Sequence, residues 1–348
     1  MAGNYFLRNH WYVVAHSFEV KTEKPLARTI CDEQVVIFRT EDGTPAMLNN
    51  RCPHRKAPLS SGEVCGNVIA CGYHGIRFNT DGSCAGIPGG LEPPKNFATR
   101  GYPVVERHGW IWAWLGEKTA DPSMIPDFYE NDHPEWAPVP GYLNIACNYQ
   151  LMVDNILDLT HVVFVHKTTL SGGGVTDTPL EVKVEGDKIF SQRLMYNVTT
   201  APIFARALGL NGMIDRWQIF EYDPPMYVKI TVGAKEAGSD SPMGHPVHRV
   251  LNCFTPETEN SLHYFWSTPR SWALDDPKVD QLYDEMIWEA FNEDKVIVEQ
   301  QQALIDSDPA QAPLVALPFD RAGNSARRIL KRLMDEEQAE AAAKVAAE

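Results

Sequence analysis

The sequence contains no run of about 18 apolar residues, the length that a membrane-spanning helix needs. Its N-terminus lacks the basic segment and apolar core of a secretory signal peptide. Cysteine is scarce, with seven residues in 348, which is too few for a disulfide scaffold. These absences predict a chain without a membrane segment, located in the reducing cytoplasm, whose cysteines are metal ligands or core residues.

Positive charge is also in short supply. Lysine and arginine together number 31, against 46 aspartate and glutamate residues, which gives a formal net charge of −15. Because nucleic acids and anionic membranes are polyanions, we expect neither to be a partner. A hydrophobic content of 44% is typical of a globular protein, and 348 residues are enough for two domains.

The order of the predicted elements divides the chain. Short β-rich segments with Asp-Gly turns run to about residue 118, and a segment rich in proline and acidic residues follows. Helical spacing over 143–166, strand-like stretches over about 180–268 and a helical pattern over 277–304 come next. We therefore predict an α+β protein, with an all-β domain over 1–122 and a domain of antiparallel sheet plus helices over 123–348.

Five of the seven cysteines lie within the first 84 residues. Two of them form short motifs with histidine, Cys52-Pro-His54 and Cys71-Gly-Tyr-His74. One thiolate and one imidazole from each motif give the ligand set of a Rieske [2Fe–2S] cluster, which needs two of each. A zinc site and four unrelated residues are the alternatives, although Cys-x-His is tighter than the usual spacing of zinc ligands.

A second concentration of ligand-type residues lies farther along the chain. His161 and His166 stand five positions apart among apolar residues, so a helix end or a π-bulge is needed to bring both to one ion. Asp294 falls on the apolar stripe of the helix predicted over 277–304, where an ionised carboxylate needs a partner or a metal. Two histidines and a carboxylate are the facial triad of non-haem Fe(II) oxygenases, and satisfied core histidines with a buried salt bridge are the alternative.

Three further acidic residues lie near this set in the sequence. Asp158 precedes His161 by three residues, so we expect it to orient His161 or to form a local hydrogen bond. Glu289 and Glu293 lie off the apolar stripe of the predicted helix, and we expect both to be solvated.

Together and in this order, the motifs resemble the oxygenase components of Rieske non-haem iron oxygenases, and the resemblance covers nearly the whole chain. It implies a [2Fe–2S] cluster and a mononuclear Fe(II) ion, with O₂ as co-substrate. The implied ligands are Cys52, His54, Cys71 and His74 for the cluster, and His161, His166 and Asp294 for the iron. It also implies that Asp158 bridges His74 of one subunit to His161 of its neighbour, in a homo-oligomeric head-to-tail ring that we expect to be a trimer.

The segments 6–14, 147–155 and 255–259 are similar to the vanillate O-demethylase group, which includes the dicamba and toluenesulfonate methyl monooxygenases. This resemblance implies hydroxylation or O-demethylation of a small aromatic acid, with release of a phenol and formaldehyde. Ring hydroxylation or dihydroxylation of a phthalate, phenoxybenzoate or sulfonate is the alternative. The dicamba enzyme has a substrate-binding His where this chain has Asn252, and a pocket Trp one turn before Trp288. These two residues and Ile230 are the substrate-binding candidates.

The chain lacks the fingerprints of flavin and nicotinamide binding and the cysteine spacing of a plant-type ferredoxin. We therefore expect electrons from a separate NAD(P)H-dependent reductase with a flavin and a ferredoxin-type centre. Because an acidic surface repels an aromatic acid, a cation is expected in the pocket. Five residues qualify, Arg193, Arg206, Arg216, Lys229 and Arg249. The glycine loop over 172–174 is predicted to be a lid or an ordinary flexible loop.

Overall fold

The computed structural model describes residues 6–240, 247–308 and 315–347. These residues form two compact units. The first comprises the described residues up to Ile125 together with Thr255–Glu259, and the second comprises the described parts of Pro126–Phe254 and Asn260–Glu348. Among the described residues, no helix combines the length and the apolar character that crossing a membrane requires.

The first unit is all-β. Its strands are β1 (Trp11–His16), β2 (Leu26–Ile30), β3 (Glu33–Arg39), β4 (Pro45–Asn49), β5 (Glu63–Cys65), β6 (Val68–Ala70), β7 (Arg77–Phe78), β8 (Cys84–Gly86), β9 (Gly101–Tyr102), β10 (Val104–Arg107) and β11 (Trp110–Trp114). They form three antiparallel sheets with the orders β1-β11-β10, β2-β3-β4-β9 and β5-β6-β7-β8.

The two four-stranded sheets contribute to one apolar core. Val36, Phe38 and Leu48 come from one sheet, and Ile69 and Phe78 come from the other. Both motif cysteines belong to the same core. The position of the predicted metal ligands is therefore fixed by the packing of the whole unit.

A seven-stranded antiparallel sheet frames the second unit. Its strands are β12 (Pro140–Ile145), β13 (Glu181–Glu185), β14 (Lys188–Thr199), β15 (Met213–Asp223), β16 (Tyr227–Glu236), β17 (Val247–Thr258) and β18 (Ser261–Ser267). The order is β12-β18-β17-β16-β15-β14-β13. Strands β16 and β17 pair Ile230 with Val250 and Val232 with His248, so side chains that alternate along each strand share one face of the sheet.

The helices of the second unit are α1 (Tyr149–Leu157), α2 (Val162–Val165), α3 (Pro202–Leu208), α4 (Pro277–Ser307) and α5 (Arg321–Ala347). Helix α4 begins where the Asp276 carboxylate accepts the Lys278 amide at 3.0 Å, with Pro277 at the first helical position. The prediction of an α+β protein with its all-β part first is confirmed. The helical pattern over 143–166 is not one helix, because the chain leaves α1 at Asp158 and turns before α2.

Candidate metal centres

The first Cys/His motif lies in a loop that follows β4. The Cys52 amide donates to the Ala57 carbonyl at 2.9 Å, and the Lys56 amide donates to the Cys52 carbonyl at 2.8 Å. Lys56 has a φ of +58°, a left-handed conformation that is uncommon for a residue with a side chain. These contacts close residues 52–57 into a compact turn, with Cys52 and His54 in its first half.

The second motif lies between β6 and β7 and repeats the same contacts. The Cys71 amide donates to the Ile76 carbonyl and the Gly75 amide donates to the Cys71 carbonyl, both at 2.8 Å. Gly75, at a φ of +69°, occupies the position that Lys56 has in the first loop. Gly72 lies against the neighbouring backbone, where a Cβ would stand 2.4 Å from the Ser61 carbonyl oxygen. Only glycine fits at that position.

The side chains of the two motifs converge. Cys52 and Cys71 are both buried, and the rings of His54 and His74, both exposed, meet edge to face with their centroids 4.7 Å apart. Burial raises the pKa of Cys52, as does its hydrogen bond with Cys71, whereas the backbone amides of His54 and Arg55 lower it. Two sulfur and two imidazole donors on adjoining loops, with backbone N–H groups directed at a sulfur, fit the ligand set of a Rieske cluster.

The second group of predicted ligands depends on the break between α1 and α2. Asp158 is extended, with φ −128° and ψ 96°, and a 3-10 turn over Leu159–His161 leads into α2. His161 ends that turn and His166 follows the last residue of α2. This break is the helix end that the five-residue spacing of the histidines requires.

The side chains of His161, His166 and Asp294 meet. The Nε2 atoms of His161 and His166 lie 3.3 and 3.2 Å from Oδ1 of Asp294, and the three ligand atoms fall within 4.8 Å of one another. Burial acts to raise the pKa of Asp294, but hydrogen bonds from both histidines outweigh it and hold the pKa well below its usual range. Two imidazole nitrogens and an ionised carboxylate, with His166 and Asp294 only 1% exposed, fit a non-haem Fe(II) ion.

The opposite ring nitrogens of both histidines are also engaged. Nδ1 of His161 lies 2.7 Å from the Asp158 carbonyl, which can only accept, so this nitrogen carries the proton. Nδ1 of His166 lies 2.8 Å from Oε2 of Glu293. Burial lowers the pKa of His166, but the carboxylates of Asp294 and Glu293 raise it overall. With protons held at Nδ1, the Nε2 lone pairs are available to a metal.

Sequence reasoning missed two residues of this site. The prediction that Glu293 is solvated was wrong, because His166 lies beyond the end of α2 and reaches the flank of α4, which helical periodicity does not reveal. Asn155 donates through Nδ2 to Oδ1 of Asp294 at 3.0 Å. Asn155 and Asp294 are 139 positions apart, so no local pattern indicates the contact.

Asp158 contacts its surroundings through two different groups. Its carbonyl holds His161, whereas Oδ1 of its carboxylate accepts the amide and the hydroxyl of Thr160 at 2.9 and 2.5 Å. Within the described part of the chain, the second carboxylate oxygen of Asp158 has no hydrogen-bond partner. The orientation of His161 therefore comes from the Asp158 backbone and not from its side chain.

A cavity of about 60 Å³ borders the three ligands. Its wall is mostly apolar and includes Leu159, Ile203, Phe204, Ile230, Val250 and Phe291. Of the three substrate-binding candidates, only Ile230 is among the described residues that line it. Asn252 is fully buried, with its amide group donating to the Val228 carbonyl and accepting the Tyr264 hydroxyl. Trp288 lies on the outer side of α4 and is 53% exposed.

Comparison with protein families matches both units. The model of the Rieske [2Fe–2S] domain covers residues 10–97, and that of the vanillate O-demethylase oxygenase C-terminal domain covers residues 145–336. A putative toluene-4-sulfonate monooxygenase system iron-sulfur subunit of Comamonas testosteroni is 37% identical over 344 residues, which cover 95% of this chain and 98% of that protein. A vanillate O-demethylase oxygenase subunit of a Pseudomonas strain is 36% identical, with 96% of each chain covered.

Solved structures give the same grouping. The crystal structure of dicamba monooxygenase bound to 3,6-dichlorosalicylic acid superposes with a TM-score of 0.91 at 34% identity, covering 96% of this chain and 99% of that one. Relatives such as the dicamba O-demethylase of Stenotrophomonas maltophilia are named oxygenase components, which implies a separate reductase. This chain is therefore an oxidoreductase of the Rieske oxygenase family, in the group formed by the oxygenase subunits of vanillate O-demethylase and of the dicamba and toluenesulfonate monooxygenases.

Proposed function

We propose that this protein is the oxygenase component of a multicomponent monooxygenase that hydroxylates or O-demethylates a vanillate-like aromatic acid. The observation that carries the proposal is the convergence of His161, His166 and Asp294 beside an apolar cavity, in a chain that also has the paired Cys/His loops. The chemistry of the cavity wall, apolar with a few convergent polar groups, suits an aromatic ring. Residues 1–122 would serve electron transfer and residues 123–348 would serve catalysis, in a cytoplasmic protein.

In this proposal, two sets of residues hold the metals. Cys52, His54, Cys71 and His74 hold a [2Fe–2S] cluster, and His161, His166 and Asp294 hold Fe(II). When bound, the cluster supplies electrons one at a time and the iron supplies the activation of O₂. Glu293 and Asn155 position the proposed iron ligands through their hydrogen bonds.

The overall reaction of a methoxy substrate balances without a further oxidant. One oxygen atom of O₂ enters a methyl C–H bond and the other leaves as water, with two electrons and two protons consumed. The hydroxymethyl ether then breaks its C–O bond, which releases formaldehyde and a phenol. The electrons come from NAD(P)H through a separate reductase with a flavin and a ferredoxin-type centre.

We propose that the protein assembles as a head-to-tail trimer in which Asp158 bridges His74 of one subunit to His161 of the next. The carboxylate oxygen of Asp158 that has no partner among the described residues supports this role. Asp158→Asn keeps an oxygen for Thr160, so we expect both metals to be retained and turnover to fall at least about tenfold. Metal analysis with single-turnover kinetics measures both quantities, and unchanged turnover would remove the bridge.

The test of the function is a substrate panel of methoxybenzoates, phenoxybenzoates, phthalates and aromatic sulfonates with a matched reductase. We expect formaldehyde and a phenol in equal amounts from a methoxybenzoate. Asp294→Ala is the control, because it should keep the visible spectrum of the cluster and lose mononuclear iron and product. A cis-diol product would contradict demethylation, and a protein without a Rieske spectrum would contradict the whole proposal.

A further inference from the structure

Arg216, on β15, lines the cavity that borders the proposed iron ligands. The residue is 4% exposed, and its Nε and Nη1 atoms are buried without a hydrogen-bond partner among the described residues. Its Nη2 donates to the Leu170 carbonyl at 3.3 Å. No carboxylate in the described part of the chain forms an ion pair with Arg216.

The charged groups around Arg216 do not neutralise it. Burial, together with the like charge of Arg193, lowers the pKa of Arg216 to about 10, so the guanidinium remains protonated at neutral pH. His248 lines the same cavity, and burial followed by the charge of Arg216 lowers its pKa to about 3. The ring of Phe204 lies 5.4 Å from the guanidinium carbon and provides a cation–π contact. A buried, unpaired positive charge is unfavourable unless an anion joins it.

The other four cations that the sequence offers are not among the residues lining this cavity. Lys229 and Arg249 both pair with the buried Glu130, at 3.3 and 2.6 Å. Arg193 donates to neighbouring side chains and to a carbonyl, and Arg206 is exposed on α3. Among the five cations, Arg216 alone combines a place in the cavity wall with two buried guanidinium nitrogens that have no hydrogen-bond partner among the described residues.

Leu170 and the first residue of the glycine loop, Gly172, hold Arg216 in place. Leu170 provides the carbonyl that accepts Nη2, and Gly172 packs directly on the guanidinium. A Cβ on Gly172 would lie 2.8 Å from Nη1, so a larger residue would displace the arginine head. The loop that the sequence offered as a lid thus fixes a cation in the cavity wall.

We infer that Arg216 binds the anionic group of the substrate, which makes the substrate class an aromatic carboxylate or sulfonate. The ring of that acid would occupy the apolar part of the cavity, toward the proposed iron ligands. Guanidinium N–H groups match the oxygens of both anions, and charge-assisted hydrogen bonds of this kind are strong in a dry site. This inference rests on the proposed function, because it assumes that the cavity is the substrate site.

The test compares acids with their neutral amides in binding alone. The probes are 4-methoxybenzoate and 4-toluenesulfonate against 4-methoxybenzamide and 4-toluenesulfonamide, titrated calorimetrically into the oxidised holoenzyme without reductase. We expect Arg216→Gln to lower the affinity for the acid that the wild type binds more tightly by about 100-fold. The affinity for the amides should change less than about threefold. The acid whose affinity falls more in Arg216→Gln shows whether the site binds a carboxylate or a sulfonate. Arg206→Gln, on the exposed face of α3, should change neither.

A second variant keeps the test valid if Arg216→Gln fails to fold. Gly172→Ala keeps the charge and crowds the guanidinium, so it should weaken acid binding and spare amide binding. Arg216→Gln should be at least as stable to heat as the wild type without ligand, because it removes an unpaired buried charge. Unchanged acid affinity in Arg216→Gln, or no preference of the wild type for either acid over its amide, would overturn the inference.

Failure of the inference and failure of the function are distinguishable. If the wild type oxidises an aromatic acid and Arg216→Gln binds that acid equally well, the function stands and the inference falls. If acids bind in an Arg216-dependent way but the reductase-coupled enzyme oxidises none of the panel, the anion site stands and the proposed function falls.

Discussion

At the scale of single residues, the two proposed iron-ligating histidines both direct Nε2 toward Asp294 but differ in the partner of Nδ1. Nδ1 of His161 donates to a neutral backbone carbonyl, whereas Nδ1 of His166 donates to the carboxylate of Glu293. A charged acceptor raises the basicity of the imidazole and hence its strength as a metal ligand. Glu293 therefore adds a negative charge beside the proposed iron site through His166, and is not one of the proposed ligands.

Glu293→Gln keeps an accepting oxygen for Nδ1 and removes that charge. We expect Fe(II) to bind at least about tenfold more weakly, since partners of ligating histidines change metal affinity by about 10- to 100-fold. The visible spectrum of the cluster should not change. Iron content after dialysis against a chelator measures the effect, with Glu289→Gln, exposed on the same helix, as the matched control. Equal iron retention in the two variants would contradict the role of Glu293.

His248 makes stability depend on pH. Burial and the charge of Arg216 lower its pKa to about 3, whereas an unfolded histidine titrates near about 6.5. Below about pH 6.5 the unfolded chain gains a proton that the folded chain does not, so stability falls as the pH drops toward 3. The contribution of this residue is up to about 1.4 kcal/mol per pH unit.

Urea denaturation between about pH 7 and pH 5 measures this slope. His248→Gln should lose the contribution, and His133→Gln, which replaces an exposed histidine, should retain it. A variant of His248 with the same pH slope as the wild type would show that its imidazole is protonated in the folded protein.

At the scale of elements, periodicity accounts for α4 better than for the segment before α2. The apolar stripe over 277–304 predicts α4 nearly to its end, and it places Asp294 on the buried side. Between α1 and α2 the apolar residues continue at helical spacing although the helix stops at Asp158. The signal that locates the break is chemical, because Asp158 is an N-cap type of residue and its carboxylate accepts the Thr160 amide.

The paired ligand loops depend on close packing between backbones. In Gly72→Ala the new Cβ would meet the Ser61 carbonyl, which is backbone and cannot rotate away. We expect the first unit to lose about 2 kcal/mol or more and the protein to lose part of its cluster. Thermal unfolding and visible absorption per chain measure the two effects. Gly212→Ala, where a Cβ meets nothing within 4 Å, is the control. A wild-type melting temperature in Gly72→Ala would contradict the packing argument.

At the scale of the whole molecule, the sequence is informative about ligands and much less so about the cavity. The cluster motifs are local, and Asp294 is conspicuous as a charge on an apolar stripe. The cavity wall is assembled from β15, β16 and β17 with the helices, so its members depend on strand register. Arg216 and His248 face the same space from separate strands. Asn252 shares a face of β17 with His248 and Val250, but its amide group is bound by the Val228 carbonyl and the Tyr264 hydroxyl, and Trp288 lies on the exposed side of α4; neither is among the described residues that line the cavity.

The proposed ring predicts recovery of activity from two inactive variants. Cys71→Ser removes the cluster and Asp294→Ala removes the iron, so each alone is expected to be inactive. In the proposed ring, the cluster of one subunit serves the iron of the next. Random assembly of equal amounts of the two variants therefore places an intact cluster beside an intact iron site in about one in four subunit contacts. Co-expressed subunits should therefore turn over at about a quarter of the wild-type rate per chain. Size-exclusion chromatography confirms mixed oligomers, and no recovery in them would contradict the ring.

Only three residues separate two proposed functions in the second unit, since the stretch 166–170 begins at a proposed iron ligand and ends at the carbonyl that holds Arg216. The amides of Leu170 and Ser171 both donate to the His166 carbonyl, at 3.2 and 2.9 Å, so this stretch is a closed turn. Thermodynamic linkage makes any influence between its ends reciprocal: the factor by which a bound acid changes the affinity for iron is the factor by which iron changes the affinity for the acid. If the proposed iron and acid sites are coupled through this turn, each ligand would be a heterotropic effector of the other, and a dissociation constant for either one would have meaning only at a stated concentration of the other.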